Sequence, residues 1–252
     1  MSSSKLSDTF KLNFLLWKAF AIWPGDKWTK RYTYYSYSFL SVIFIIYNIL
    51  ITVNLLYTPG EIQFIVREVI FYFTEVAITF KVLMILFMRN KIISVFEILN
   101  STTFEPKDEV SREIINKSVN NYYSYWKINV FLSNFSYTAS VIVPICRYVT
   151  YGTKLRLPVC KYYFLSDEIR ENIFIYLFIY QSFGLFVHMM YNITVDTFNA
   201  GLILMPIAQL KILNYKLRHL KVTEGDLKKT KEEQEQIQTL KFKKLILHYN
   251  LI

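Results

Sequence analysis

The stretch IFIYLFIYQSFGLFVHMMYNITV, residues 173–195, carries no formal charge in 23 residues. A helix rises about 1.5 Å per residue, so this stretch is long enough to cross a hydrocarbon core of roughly 30 Å. Asp196 ends the uncharged run. Apolar residues then recur at steps of three and four as far as Leu220, and basic residues accumulate from Lys211 onward. The pattern predicts a membrane span that continues into a cationic, amphipathic helix outside the bilayer, with a kink at Pro206.

Three further apolar runs are long enough to span a membrane, at about 35–57, 69–88 and 128–145. The chain is 53% hydrophobic and 18% aromatic, and these residues are concentrated in blocks. The sequence therefore predicts an all-α, polytopic membrane helix bundle with four transmembrane helices. The predicted parts are a cytoplasmic N-terminal segment (1–31), a transmembrane bundle (32–195) and a cytoplasmic helical extension (196–252).

The basic residues are distributed unevenly between the two sides of this bundle. Four spans place the N-terminus, the segment between spans two and three, and the C-terminal extension on one side. These parts hold 22 lysines and arginines, against 6 on the other side. Because basic loops stay in the cytoplasm, the count predicts a cytoplasmic N-terminus and an external loop at 148–172. Asn100 and Asn116, which begin Asn-x-Ser/Thr motifs, should then carry no glycan.

The net charge of +10 is compatible with binding to nucleic acid or to a membrane surface. The basic residues lie between the apolar runs, which favours the membrane. The sequence contains no phosphate-binding glycine loop, HExxH, CxxC or nucleophile elbow, so we predict no catalytic residue, no metal site, no cofactor and no enzyme. Cys146 and Cys160 are both predicted near the outer face, where a disulfide and two free thiols are equally compatible with the sequence.

Three titratable residues lie inside predicted spans. Glu75 and Lys81 are six residues apart on span two, so they lie on opposite sides of a helix and should not pair with each other. Charged residues within a span face a water-filled cavity or a neighbouring helix, and we favour the second. His188 in span four is either a ligand contact or a core histidine with satisfied hydrogen bonds, and we again favour the second.

The outer halves of spans two, three and four are rich in aromatic and hydroxyl side chains. With the predicted topology, six of them lie at one depth and form the candidate ligand site: Tyr72, Phe73, Tyr137, Ser140, Tyr180 and Gln181. This composition suits a pocket for a small, mostly apolar molecule that a few polar groups orient. Ordinary aromatic packing between helices and lipid explains the same spacing, and spacing alone favours it.

A series of short motifs, in this order, resembles the insect odorant receptors. The residues that carry the resemblance are Phe20-Ala21-Ile22-Trp23-Pro24, Leu157-Pro158, Ser166-Asp167, Tyr176, Tyr180-Gln181, Asp196, Gln209-Leu210, Leu213, Leu240, Ile246, His248 and Ile252. The first is similar to the N-terminal Trp-Pro motif of that family, and the next two are similar to its second outer loop. Phe164-Leu165 departs from the family, which often carries a second proline there, so the loop conformation is open.

The resemblance implies a plasma-membrane receptor subunit with seven spans and a cytoplasmic N-terminus, which forms a cation channel with a shared odorant co-receptor. It also implies that a small volatile ligand binds in the outer half of the bundle and that the last span lines the pore. This sequence has no counterpart of spans five to seven, so it is expected to be the N-terminal part of a receptor, which should not conduct alone. Subunit contact is implied for the helix after Asp196, through Leu202, Leu210, Leu213 and Leu217.

Two alternatives remain at this level. A related gustatory receptor would share the topology. Half of a secondary transporter would contain a span broken by Gly or Pro near the membrane midplane. Spans one and two contain neither residue, which argues against a transporter.

Overall fold

The computed structural model describes residues 6–23, 29–220 and 231–251, and within them the chain is helical and contains no strand. A 3-10 helix at Leu6–Phe10 precedes the first α-helix. The longer elements are α1 (Lys11–Ala19), α2 (Lys30–Leu56), α3 (Ile62–Phe87), α4 (Arg89–Leu99), α5 (Glu109–Tyr151), α6 (Asp167–Asn172), α7 (Phe174–Arg218) and α8 (Lys231–Leu251). Pro24 of the Trp-Pro motif, the charged residues 221–230 and Ile252 lie outside the described residues.

Four of these helices, α2, α3, α5 and α7, are long and apolar enough to cross a membrane, which confirms the predicted bundle. The helices extend beyond the predicted spans. The helix α5 begins at Glu109, although its apolar part starts near Ile128, and α7 continues through Pro206 to Arg218. Hydropathy marks only the part of a helix that suits lipid, whereas the hydrogen-bonded backbone continues into polar sequence. The prediction that the fourth span runs on as one helix is therefore confirmed.

Both α2 and α5 contain a stretch of π-helix, at Leu40–Ile46 and Thr138–Ile142. In the first, the Val42 carbonyl accepts a hydrogen bond from the Tyr180 hydroxyl (2.7 Å). The next carbonyl accepts one from His188 Nε2 (2.9 Å). A backbone group inside a membrane needs a partner within the protein, because lipid tails offer none. Two α7 side chains therefore stabilise α2 where its regular hydrogen-bond pattern is interrupted.

The chain forms two compact units, and α5 and α7 contribute residues to both. The first unit combines the 3-10 helix, most of α4, the N-terminal part of α5, the C-terminal part of α7, and α8. Its core is a ring cluster in which the Phe10 centroid lies 5.2–5.5 Å from those of Phe96, Tyr122 and Phe198. A methyl group at Gly201 would overlap the rings of Phe10 and Tyr122, so the close approach of these rings to α7 requires glycine.

The second unit combines α1, α2, α3, α6, the C-terminal part of α5 and the N-terminal part of α7. Here α1 packs against α7 through polar contacts. Asn13 Nδ2 donates to the Thr194 carbonyl (2.7 Å) and to Thr197 Oγ1 (2.9 Å), and Trp17 Nε1 donates to Thr194 Oγ1 (3.0 Å). The Tyr191 hydroxyl donates to the carbonyl of the residue that follows α1 (2.7 Å). These buried donors and acceptors fix the N-terminal helix beside the bundle.

Glu75 and Lys81 of α3 do not contact each other, as predicted, and both contact α7. Lys81 Nζ lies 2.7 Å from Asp196 Oδ1 and 2.6 Å from Asn192 Oδ1. The Glu75 carboxylate contacts His188 Nδ1, and both side chains are buried. His188 Nε2 faces the Ile43 carbonyl and donates to it (2.9 Å), because a carbonyl oxygen can only accept. His188 is therefore a core histidine with satisfied hydrogen bonds.

Candidate ligand-binding site

The end of the second unit at which α5 stops is covered by residues 152–166, here named the cap loop. Gly152 ends α5 in the left-handed conformation (φ +63°), as is common where a helix must stop and the chain turn away. The cap loop then folds over the bundle, because Leu157, Val159, Cys160 and Tyr162 are all buried. The loop is therefore part of the core of this unit.

Side-chain amides attach the cap loop to the bundle. Gln181 Oε1 on α7 accepts hydrogen bonds from the backbone nitrogens of Val159 (3.0 Å) and Cys160 (3.3 Å), and its Nε2 donates to the Cys160 carbonyl (2.8 Å). On α2, Asn54 Oδ1 accepts from the backbone nitrogen of Tyr163 (3.0 Å). Gln181 thus pairs with the loop backbone much as a neighbouring strand would, and it satisfies two donors and one acceptor of the buried loop.

Both cysteines are free, so the structure corresponds to the second of the two alternatives that the sequence left open. Cys146 is exposed and Cys160 is buried in the cap loop. Burial, assisted by the nearby Glu68 carboxylate, raises the pKa of the Cys160 thiol to about 12. Cys160 is consequently unreactive while the loop is closed, since the thiolate is the reactive form.

A hydrophobic cluster lies beneath the cap loop. Tyr47, Ile51, Val141 and Phe178 form its buried part on α2, α5 and α7. Three tyrosines of the predicted ligand site pack against it while remaining partly exposed: Tyr72, Tyr137 and Tyr180. Tyr137 and Tyr180 also donate their hydroxyl hydrogens to backbone carbonyls, so their orientation is fixed.

A cavity of about 610 Å³ adjoins this cluster. Its walls come from the first turns of α3, the end of α5 and the cap loop. The lining residues are Arg67, Phe71, Ala139, Ser140, Val143, Pro144, Arg147, Thr153, Lys154, Arg156, Leu157 and Pro158. The volume lies within the range of small-molecule sites, and an apolar wall with a few polar groups is their usual composition. Ser140 follows Tyr137 by one turn and lies in the π-helical stretch of α5.

The candidate ligand residues predicted from the sequence are only partly brought together. Ser140 lines the cavity, and the three tyrosines surround the adjoining cluster. Phe73 is 65% exposed on the surface of α3, whereas Gln181 is 1% exposed and hydrogen-bonded to the loop backbone. Depth in the membrane does not specify the side of a helix, and consecutive residues such as Tyr72 and Phe73 point about 100° apart.

Sequence reasoning missed most of the cavity lining. Arg67 and Phe71 were within reach of sequence reasoning, because residues four apart share one face of a helix. The contributions of Arg156 and Leu157 depend on the path of the cap loop, which has no periodic pattern. The apolar Leu157-Pro158 pair in the sequence did indicate a packed loop, since apolar residues in a loop are often buried against the core, as these two are.

The leucines predicted for subunit contact belong to the first unit and divide into two groups. Leu213 is buried within its own chain, and Leu202 lines a second cavity of about 240 Å³ with Phe104 and Gln209. Leu210 and Leu217 are 44% and 43% exposed. Of the four predicted leucines, Leu210 and Leu217 are the two whose side chains are accessible to another subunit.

Four long apolar helices and the polar pairs between them are the features of a multi-pass membrane protein. No group of three or more His, Cys, Asp or Glu residues that could hold a metal ion occurs in the described parts of the chain. The family model described as 7tm Odorant receptor matches residues 61–252, which includes every residue of the cavity. The chain belongs to the odorant receptor family, and it is therefore a chemosensory receptor of the membrane. Searches of curated proteins and of solved structures found no significant match.

Proposed function

We propose that this chain is an odorant receptor subunit that binds a small volatile ligand in the cavity between α3, α5 and the cap loop. The observation that carries the proposal is the cavity itself, which has the size of a small-molecule site and lies within the matched family region. Ser140 supplies a hydroxyl to orient the ligand, and Phe71 and Leu157 supply apolar walls. Tyr72, Tyr137 and Tyr180 support these walls from the adjoining cluster.

The proposed site faces outward. The charge asymmetry of the sequence supports a cytoplasmic N-terminus, and the cap loop is then external. Acceptor sites for glycosylation engineered at exposed positions of the cap loop, such as Thr153, should be modified in cells. Native Asn100 and Asn116 should remain unmodified, and a glycan on Asn116 would show that the orientation is the reverse.

In the assembled receptor, ligand binding under the cap loop opens a cation channel that the subunit forms with an odorant co-receptor. The exposed Leu210 and Leu217 on the C-terminal part of α7 are proposed to contact the neighbouring subunit. Leu210→Asp with Leu217→Asp should abolish co-purification with the co-receptor, because two charges cannot be buried there without partners. Charged substitutions at the exposed Leu240, on another helix, provide the control.

Ligand binding can be tested on the purified chain in nanodiscs, without reference to channel activity. A panel of volatile compounds is scored by displacement of a fluorescent apolar probe. Ser140→Leu fills part of the cavity and should lower the affinity for the best ligand at least about tenfold. The reason is that roughly two methylene groups of the ligand can no longer be buried there. Ser136→Leu is the matched control, since Ser136 lies one turn earlier on α5, is exposed and is not part of the lining.

Equal loss of binding in the two leucine variants would show that the effect is not specific to the cavity. Unchanged binding in Ser140→Leu, with the protein still monodisperse, would show that odorants bind elsewhere in the bundle. The tyrosines provide a second test. Tyr180→Phe removes a hydroxyl that is already bonded to a carbonyl, so it should weaken α2 packing and leave ligand selectivity unchanged.

A further inference from the structure

The charged side chains that line the proposed ligand cavity are all positive. Its lining includes Arg67, Arg147, Lys154 and Arg156, and no acidic residue is among the lining residues. The lining also contains apolar residues, among them Phe71, which lies one turn beyond Arg67 on α3. A neutral odorant would need none of these charges, and gathering four cations around one cavity is electrostatically unfavourable.

Two of the four cations are partly neutralised. Lys154 Nζ lies 3.3 Å from Glu171 Oε1, with both side chains exposed to solvent. Arg67 adjoins Glu68, which is buried and accepts a hydrogen bond from Asn54 (2.8 Å). Arg67 also donates to the Val159 carbonyl (3.3 Å), which holds its guanidinium at the cavity wall.

Arg147 and Arg156 differ from these two. Within the described residues, neither has a carboxylate within ion-pair distance, and both are exposed. Arg147 is in the last turns of α5 and Arg156 is in the cap loop, so the two approach the cavity from different walls. A guanidinium presents a planar fork of donors that matches a carboxylate or a phosphate. Two such groups beside apolar lining residues have the chemistry that suits an anionic head with a short hydrocarbon tail.

We propose that the cavity binds an amphiphilic anion, with its anionic head between Arg147 and Arg156 and its tail against Phe71. This inference rests on the proposed function, because it assigns a charge to the ligand of the same cavity. The anionic head has two sources with the same chemistry, a free carboxylic acid and the phosphate of a lipid headgroup. A positively charged cavity also raises the local concentration of anions, which increases the rate at which they bind.

The first experiment compares octanoate with 1-octanol and methyl octanoate on the purified chain in nanodiscs of zwitterionic lipid. Octanoate should bind at least about tenfold more tightly than the two neutral probes, since a hydrogen bond to a charged group is worth more than one between neutral groups. Equal affinity for octanoate and octanol would overturn the inference and leave the proposed function intact. Failure of all three probes, and of the wider volatile panel, would overturn both.

Variants then locate the anion. Arg147→Gln and Arg156→Gln should each weaken octanoate about tenfold and leave 1-octanol unchanged. Arg147→Glu should weaken octanoate further, because it adds repulsion to the lost attraction. Arg170→Gln is the matched control, since it removes the same charge from the same side of the protein outside the cavity lining. A loss in Arg170→Gln equal to that in Arg147→Gln would show that net charge, and not a site, attracts the anion.

A last arm distinguishes the two sources. The titration is repeated in nanodiscs that contain phosphatidylglycerol as a minor component. Weaker octanoate binding to the native protein, with no change for Arg147→Gln, would identify the lipid headgroup as the competing occupant of the same site. Unchanged octanoate binding would identify the free acid. Both results support an anion site, whereas equal weakening in the native protein and in Arg147→Gln would contradict it.

Discussion

Gln181 offers the sharpest test of the structure, because the sequence predicts a ligand contact and the structure shows a loop anchor. Gln181→Leu preserves the approximate size of the side chain and removes all of its polar atoms. The backbone nitrogens of Val159 and Cys160 and the Cys160 carbonyl then remain buried without their partner. Each unsatisfied buried group costs about 1–3 kcal/mol, and local relaxation recovers part of this.

A net cost of about 2–4 kcal/mol for the closed cap loop is therefore expected. The open form, in which water satisfies these groups, would rise in population by about thirtyfold to a thousandfold. Cys160 reports this opening directly. Its side chain is buried, and burial raises its pKa to about 12, so a maleimide can label it only when the loop is open.

The assay measures the labelling rate of Cys160 in a Cys146→Ser background, because Cys146 is exposed and would react first. Gln63→Leu on α3 is the matched control, since Gln63 is exposed. If Gln181→Leu were labelled no faster than the control, Gln181 would not hold the loop. A loss of ligand binding at an unchanged labelling rate would restore the ligand contact predicted from the sequence.

Three further predictions concern stability. Glu75→Ala leaves His188 buried without its partner, and breaking a buried pair costs about 3–5 kcal/mol; at about 2–4 °C per kcal/mol, the melting temperature in detergent should fall by roughly 6–20 °C. Gly201→Ala forces a methyl group into two core rings and should cost about 1–3 kcal/mol, more than the gain in helix propensity of about 1 kcal/mol, in the same assay. Burial, with nearby Lys216, lowers the pKa of His248, so the unfolded state binds a proton at a higher pH than the folded state does. The free energy of unfolding should therefore be highest above about pH 6.5 and should decrease as the pH falls below that value. Hydrogen exchange of α8 at different pH values should detect this decrease.

Each of these predictions has a control within the chain. Glu171→Ala breaks an ion pair whose side chains are 87% and 70% exposed, so it should cost less than about 1 kcal/mol. Gly60→Ala adds a methyl group to open space and should be nearly neutral. His248→Asn keeps a donor for the Gln209 amide oxygen and removes the titration. A pH effect on α8 that persists in His248→Asn would contradict its assignment to this histidine.

The long helices could be predicted because lipid imposes a simple requirement on sequence. An uncharged run such as 173–195 has few alternatives to a membrane span, and the apolar spacing beyond Asp196 indicates that the helix continues. The ends of the helices were harder to predict. The polar first half of α5 has no hydropathy signal, and its helix is stabilised by one buried face that includes Ile115 and Tyr122.

The sequence predicted the candidate site from residue depth alone. Counting residues from the span ends assigned Ser140 and three tyrosines to one depth, and in the structure Ser140 lines the cavity while the tyrosines pack against the adjoining cluster. The exposed position of Phe73 depends on how α3 is rotated, and the role of Gln181 depends on where the cap loop lies. Both are set by contacts between residues far apart in sequence, which no local pattern contains.

The rotation of α3 is itself fixed by charge. Glu75 and Lys81 are six residues apart, and their partners on α7, His188 and Asp196, are eight apart in the same order, so the two helices run parallel. Sliding one helix by a turn, or rotating α3 toward lipid, would break both pairs and leave charges in a medium that cannot solvate them. Apolar packing alone tolerates many registers in a membrane, because lipid and leucine are equally apolar. The two polar pairs select one register, and that register places Arg67 and Phe71, earlier on the same helix, against the cap loop and the cavity.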